Sequence, residues 1–163
     1  MKLLIIRHAH AEERENWNAL GKPDELRPLT KKGIFRFADV TMGMMKLIDH
    51  VDHIFTSELL RSIQTAELFA KGFPMATQSI TEHLNAGRSI VPLIEFLMKQ
   101  DRNKTYALVG HQPELSNLTS MLLSKHADIQ FKFKKGGAAF IEELNGDWQM
   151  NWFLNSKQLA AIK

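Results

Sequence analysis

The sequence contains no cysteine, which excludes a disulfide framework, a thiolate zinc site and a thiol nucleophile. Long apolar runs are also missing. Near the N-terminus only four strongly apolar residues, Leu3 to Ile6, follow Lys2, too few for the apolar region of a signal peptide and far short of a membrane span. We see no internal repeat, low-complexity tract or interdomain linker. We therefore expect one soluble, cytoplasmic domain over residues 1–163, with no membrane partner.

An excess of either charge is also missing, since 21 lysines and arginines nearly balance 18 aspartates and glutamates and leave a formal net charge of +3. The densest basic patch interleaves aromatic and basic residues, namely Lys125, His126, Phe131, Lys132, Phe133, Lys134 and Lys135. This pattern is typical of nucleic-acid binding by stacking and phosphate contacts, and equally of a half-buried strand or its approach. No recognised nucleic-acid module accompanies the patch. We therefore favour the structural interpretation and expect no nucleic-acid partner.

Strand-like and helix-like segments alternate along most of the chain. Polar residues 9–29 are irregular, and Asn145-Gly146 between two apolar runs is a strong hairpin signal. The predicted strands cover 3–8, 51–56, 76–80, 105–109, 138–144 and 148–154, and the predicted helices cover 30–48 with Thr30 as N-cap, 58–70 capped by Ser57, about 90–97, and 113–124. The pattern predicts an α/β fold, namely a three-layer α/β/α sandwich with a mostly parallel sheet and a C-terminal antiparallel hairpin.

Chemically active residues follow three of the predicted strands. Arg7 and His8 end the first, Ser57 follows the second with Arg61 close behind, and His111 follows the fourth. Because parallel strands end at one edge of a sheet, these side chains can converge there. Two arginines and two histidines suit a tetrahedral oxyanion such as phosphate. No Gly-rich nucleotide loop is present, so side chains must form the cradle.

The same segments carry a resemblance. The sequence resembles the histidine phosphatase superfamily, whose fold is phosphoglycerate mutase-like, and within it the small bacterial phosphohistidine phosphatases. The matching pieces occur in family order and are residues 4–8, residues 27–30 with Gly33, residues 57–61 with Gln64 and Thr65, and residues 109–113 with Leu115. Together they span about residues 3 to 115.

The resemblance implies a role for each matching residue. His8 would be the nucleophile, attacking phosphorus through a neutral ring nitrogen and becoming a covalent phosphohistidine. Arg7 and Arg61 would bind the phosphoryl oxygens and stabilise the transition state. His111 would complete the pocket as a charged donor, and Arg27 would contact substrate.

The proton donor is the open assignment. Glu82 lies in the loop where superfamily members often place an acid, and it could equally be a solvated loop carboxylate. Since neutral imidazole leaves readily, a phosphohistidine phosphatase could also work without a strong acid. The resemblance implies no cofactor, and we expect no metal, because His and carboxylate residues do not cluster at ligand spacing.

The sequence departs from the superfamily at three positions. Ala9 stands where Gly usually follows the catalytic histidine, so its backbone should stay in an ordinary conformation. Ala11 and Arg14 replace the usual Ser or Thr and Asn. These departures fit the phosphohistidine branch better than the sugar-phosphate enzymes.

The expected function is therefore a phosphatase that acts on phosphohistidine of a signalling protein, with a site that also takes a phosphate or sulfate ion. A phosphatase of small phosphate esters or anhydrides is the first alternative. A non-catalytic module that binds phosphate or a phosphoprotein is the second.

Overall fold

A computed structural model describes residues 1–162. One sheet of six strands forms its centre, with the strand order β3-β2-β4-β1-β5-β6. The strands are β1 (Lys2–Arg7), β2 (His53–Thr56), β3 (Thr77–Ile80), β4 (Thr105–Gly110), β5 (Ala138–Leu144) and β6 (Asp147–Leu154). The pairs β1·β4, β2·β4 and β2·β3 are parallel, whereas β5 runs antiparallel to β1 and β6. The predicted mostly parallel sheet with a closing hairpin is confirmed.

The hairpin turn is made by the two residues that predicted it. Asn145 and Gly146 have φ values of 53° and 88°. Positive φ at both central residues is the conformation whose twist matches that of the flanking strands. Glycine adopts this conformation at no steric cost, and asparagine tolerates it better than most residues.

Six helices accompany the sheet. They are α1 (Arg14–Ala19), α2 (Lys31–Met44), α3 (Leu60–Ala70), α4 (Val91–Met98), α5 (Glu114–Ser124) and α6 (Ser156–Ala160). The predicted cap of α2 is confirmed, because the Thr30 hydroxyl accepts a hydrogen bond from the Gly33 amide at 2.9 Å. None of the helices within residues 1–162 is long and apolar enough to cross a membrane.

An apolar core lies on each face of the sheet, between the strands and a layer of helices. On β1, Leu4 and Ile6 pack into the core with α2, α3 and α6. The alternate residues Leu3 and Ile5 pack into the other core, with α4 and α5. Both faces of the strand are therefore covered, as its unbroken apolar run indicates. The carboxyl end of β1 is thereby held between two packed layers.

Sequence periodicity missed two helices and misplaced one cap. Helices α1 and α6 span six and five residues, too short to show a helical repeat of apolar positions. Ser57 does not cap α3, whose N-cap is Leu59 without a side-chain hydrogen bond. The helix through Ile48 was also predicted too long, since α2 ends at Met44 and turns follow.

The basic aromatic patch forms no strand of its own. Phe133 is buried against the ring of Phe153, with centroids 4.9 Å apart, while Lys132 and Lys134 on either side are exposed. The segment runs into β5. Its alternation is therefore that of a half-buried approach to a strand, as the structural interpretation predicted.

Replacing Gly43 of α2 by alanine should destabilise the protein. A Cβ atom there would lie 1.9 Å from the main-chain oxygen of Leu159, so α2 and α6 would have to move apart. We expect the unfolding free energy to fall by about 1–3 kcal/mol, as for other overpacked sites. Helix propensity alone predicts the opposite sign. Denaturant unfolding of Gly43→Ala, with the exposed Met42→Ala as control, measures this. A stabilised Gly43→Ala would contradict the close packing of α6 on α2.

Candidate active site

The carboxyl ends of β1, β4 and β2 bring their polar side chains together, as predicted. The rings of His8 and His111 have centroids 5.2 Å apart. The Ser57 hydroxyl lies 2.8 Å from Nε2 of His111, and the Ser62 hydroxyl lies 3.3 Å from the same atom. Because β1 and β2 flank β4 in register, this convergence follows from the sheet order.

The hydrogen bond of His8 selects one form of its ring. Nδ1 lies 2.7 Å from the main-chain oxygen of Ala9, which can only accept, so Nδ1 carries the proton. Nε2 then holds the lone pair, and within residues 1–162 it has no hydrogen-bond partner. The Thr65 hydroxyl accepts from the Ala9 amide at 3.0 Å and fixes this segment. Ala9 has an ordinary negative φ, as expected.

Burial and neighbouring positive charge keep His8 neutral. Desolvation lowers its pKa well below 6.5. The nearby His111 ring lowers it further, because the two rings cannot both be protonated, and the charges of Arg61 and Arg7 act in the same direction, whereas the hydrogen bond to Ala9 has an opposite effect smaller than that of burial. An unprotonated imidazole at neutral pH is what a nitrogen nucleophile requires.

The surroundings of His111 favour its neutral form. Burial lowers its pKa to about 3, and the charges of Arg61 and Arg7 act in the same direction. The charged donor that the resemblance implies therefore requires the negative charge of a phosphoryl group beside the ring.

Asp24 holds the arginines of the cleft. Its carboxylate accepts from Nε of Arg27 at 2.8 Å and from Nη2 of Arg61 at 3.1 Å, and Nε of Arg14 lies 3.4 Å away. Its main-chain oxygen accepts a second hydrogen bond from Arg61, through Nη1 at 2.9 Å. Burial raises the pKa of Asp24, but the Arg27 hydrogen bond and the charges of Arg61, Arg27 and Arg14 outweigh this and lower it. The carboxylate is thus a permanent counter-ion.

These residues surround a cavity of about 220 Å³, which we call the catalytic cavity. It is lined by Arg7, His8, Glu13, Arg14, Arg27, Arg61, Ala86, His111, Gln112 and Lys135. The Nε atoms of Arg7 and Arg61 are buried and lack an acceptor among residues 1–162. Buried donors without partners are costly unless a ligand accepts from them. The cavity is therefore suited to bind a small anion with several oxygens.

Glu82, the candidate proton donor, is not among the residues that line this cavity. It begins a short 3₁₀ turn, its side chain is 61% exposed, and it pairs with Arg88 at 3.2 Å. Loop position suggested the assignment, but the turn directs the carboxylate to Arg88. Glu13 is the one carboxylate among the lining residues. It is 74% exposed and pairs with Lys135 at 3.8 Å.

Sequence reasoning did not place Asp24, Glu13 or Lys135 at the site. Asp24 stands three residues before Arg27, a spacing at which opposite charges pair on one turn, and this was the available signal. Nothing local marks the contact of Lys135 with a cavity whose other lining residues all stand more than twenty positions earlier. Within residues 1–162 no group of three His, Asp or Glu side chains is placed to hold a metal ion.

The chain matches known proteins in sequence. A family model described as histidine phosphatase superfamily (branch 1) matches residues 3–85. An uncharacterized protein of Picosynechococcus sp. is 30% identical over 141 residues, which cover 84% of this chain and 82% of that protein.

Solved structures agree in fold. The protein histidine phosphatase SixA complexed with tungstate has a TM-score of 0.79 at 18% identity, covering 98% of this chain and 99% of that one. A protein provisionally assigned as an alpha-ribazole-5'-P phosphatase of Escherichia coli K-12 has a TM-score of 0.77 at 20% identity, covering 100% and 99%. At such identities these likenesses show a shared fold.

Removing the charge of Asp24 should lower the thermal stability of the protein in the absence of phosphate and strengthen anion binding. In Asp24→Asn the guanidinium groups lose their counter-ion, whereas the main-chain bond to Arg61 is kept. We expect a lower melting temperature in phosphate-free buffer and a larger rise on adding inorganic phosphate than in the wild type. Asp39→Asn, an exposed change on α2, is the control. A smaller phosphate-induced rise in Asp24→Asn would show that the carboxylate acts mainly by orienting the arginines.

The lowered pKa of His111 predicts a pH-dependent stability. As the pH falls through 6.5, His111 of the unfolded state binds a proton, whereas folded His111 does not bind one until about pH 3. The free energy of unfolding therefore decreases as the pH falls. Between pH 7 and pH 5 this histidine should account for a loss of about 2 kcal/mol. His111→Gln should therefore lose that much less than the wild type in denaturant unfolding at the two pH values. Equal losses would contradict the shift, and His126→Gln, at an exposed site, should behave as the wild type.

Proposed function

The chain belongs to the histidine phosphatase superfamily, and we propose that this phosphatase removes the phosphoryl group from phosphohistidine of a protein, through a covalent intermediate on His8. The observation that carries the proposal is the form of the His8 ring. Its Nδ1–H donates to the main-chain oxygen of Ala9, which leaves the lone pair on Nε2, and His8 lines a cavity rich in cationic side chains.

In the first step, the lone pair of His8 Nε2 attacks phosphorus, and the bond between phosphorus and the substrate imidazole breaks. The substrate imidazole is protonated on its other nitrogen, so it keeps the electron pair of the broken bond and leaves as neutral imidazole without a proton from the protein. Arg7 and Arg61, which have unpaired buried donors, stabilise the charge on the phosphoryl oxygens. In the second step water attacks phosphorus, the bond to Nε2 breaks, and inorganic phosphate is released.

The acids available near the cavity favour a nitrogen leaving group. Glu13 is exposed and paired with Lys135, and Glu82 is paired with Arg88. Neither is buried, as a carboxyl group held protonated at neutral pH would need to be. An alkoxide leaving group needs strong protonation, whereas imidazole has a conjugate-acid pKa of about 6.5 and leaves readily. Phosphohistidine is thus the substrate that this set of residues can best process.

The catalytic proposal predicts a phosphorylated His8. Rapid mixing with a phosphohistidine peptide, quenching without acid and intact-mass spectrometry should show one added phosphoryl group that is lost on acid treatment. His8→Ala should show neither the adduct nor turnover, while His126→Ala should behave as the wild type. Turnover that is unchanged in His8→Ala would refute the nucleophile.

Substrate class is tested with the same protein preparation. We expect kcat/KM for the phosphohistidine peptide to exceed that for sugar and nucleoside monophosphates by at least tenfold. Faster cleavage of the small esters would leave the covalent mechanism in place and overturn the assigned substrate. Binding of the peptide without turnover by the wild type would favour a binding module.

A further inference from the structure

A second, larger depression adjoins the catalytic cavity. It has a volume of about 570 Å³ and we call it the basic groove; its lining residues are Arg7, His10, Glu13, Arg36, Lys134, Lys135, Asn155, Ser156 and Lys157. Arg7, Glu13 and Lys135 also line the catalytic cavity. The two spaces are therefore neighbours with a shared wall. A substrate held by its phosphoryl group can extend from one into the other.

The charge of the groove is strongly one-sided. Five of its lining side chains are arginines or lysines, and Glu13 is its one carboxylate. The pKa of His10 is lowered in part by this positive potential. Burial lowers its pKa, and the next two causes are the charges of Lys135 and Arg36, which exceed the opposite effect of Glu13. Focused positive potential of this kind concentrates anions.

The lysines of the groove are fixed relative to the nucleophile. The Gly136 amide donates to the main-chain oxygens of both Arg7 and His8, at 3.1 and 3.0 Å, and Gly137 donates to the Lys134 oxygen at 2.8 Å. Gly136 has a φ of +72°, which a side chain would strain. The turn that carries Lys134 and Lys135 is thus tied by its backbone to the end of β1. The points from which these two side chains extend are therefore fixed relative to His8.

We propose that the basic groove binds acidic side chains flanking the phosphorylated histidine of a protein substrate. This inference rests on the proposed function and adds the sequence context of the substrate. The groove exceeds the volume of the catalytic cavity more than twofold, so it has room for residues beyond the phosphoryl group. A histidine on a polypeptide necessarily brings its neighbours to this surface, and Asp or Glu there would complement the lysines and arginines.

The test compares two synthetic peptides, each with one phosphohistidine, flanked by aspartates in one and by asparagines in the other. Screened surface charge pairs contribute about 0.5 kcal/mol each, so three of them predict about tenfold higher kcat/KM for the acidic peptide at low salt. The triple variant Arg36→Gln, Lys134→Gln, Lys157→Gln should reduce this ratio to about one. Its kcat/KM for the asparagine peptide should fall much less than that for the aspartate peptide, because these three residues do not line the catalytic cavity.

A matched control distinguishes the effect of the groove charges from the effect of the protein's net charge. Lys46→Gln, Lys71→Gln, Lys99→Gln removes three charges at exposed positions outside both cavities, and should keep the tenfold preference. Loss of the preference in this control as well would assign it to net charge and overturn the groove. Equal turnover of the two peptides by the wild type would overturn the groove while leaving the proposed function standing.

A binding measurement decides the inference even if neither peptide is turned over. The His8→Ala protein, which cannot form the covalent intermediate, is titrated with the two phosphohistidine peptides labelled for fluorescence anisotropy, and it should bind the aspartate peptide about tenfold more tightly than the asparagine peptide. The triple variant combined with His8→Ala should bind the two peptides equally. Equal binding of the two peptides by His8→Ala, or no detectable binding of either, overturns the inference. A single-stranded oligonucleotide that binds the groove more tightly than the acidic peptide would also overturn it, in favour of a nucleic acid.

Discussion

Mutual repulsion among buried cations is the constraint on which this structure depends. Arg61 has only 1% of its surface exposed and Arg27 has 5%, and burying unpaired charges is costly. Asp24 offsets this cost by accepting from both guanidinium groups with its carboxylate and once more with its main-chain oxygen. The pairing uses only part of the donors, because Nε of Arg61 remains without an acceptor within residues 1–162. A bound anion therefore completes an arrangement that Asp24 only partly satisfies.

The same positive field contributes to the neutrality of the histidines. Burial is the main cause of the lowered pKa values of His8 and His111, and the arginines add to it. A histidine that attacks phosphorus would gain from this, because its lone pair is free at neutral pH. The arginines suited to bind phosphate thus also favour the neutral form that attack requires. A phosphoryl dianion in the cavity would oppose the field and favour protonation of His111, which could then act as the donor that the resemblance implies.

Sequence alone predicted those features that depend on neighbouring residues. Thr30 caps α2 and Asn145-Gly146 turns the hairpin because each acts on adjacent backbone. Convergence of His8 and His111 was also predictable, since parallel strands end at one edge. Ser57 was misassigned as a helix cap because its hydroxyl is bound to His111 instead, and that partner is 54 positions away. The position of the Glu82 carboxylate was likewise beyond the reach of sequence, since a 3₁₀ turn and the ion pair with Arg88 determine where it lies.

The features that sequence did not predict lie in segments outside the main sheet and its long helices. Asp24 comes from the irregular stretch before α2, Lys135 from a turn before β5, and Lys157 from the short α6. Such segments carry little periodic signal, yet they form the surroundings of the cavity. The sheet edge supplies groups that any phosphoryl transfer needs, whereas the surroundings differ in charge and shape from one fold member to another. We therefore expect selectivity for a phosphorylated partner to reside in these segments, where the basic groove adjoins His8, whose proposed role involves only the phosphoryl group.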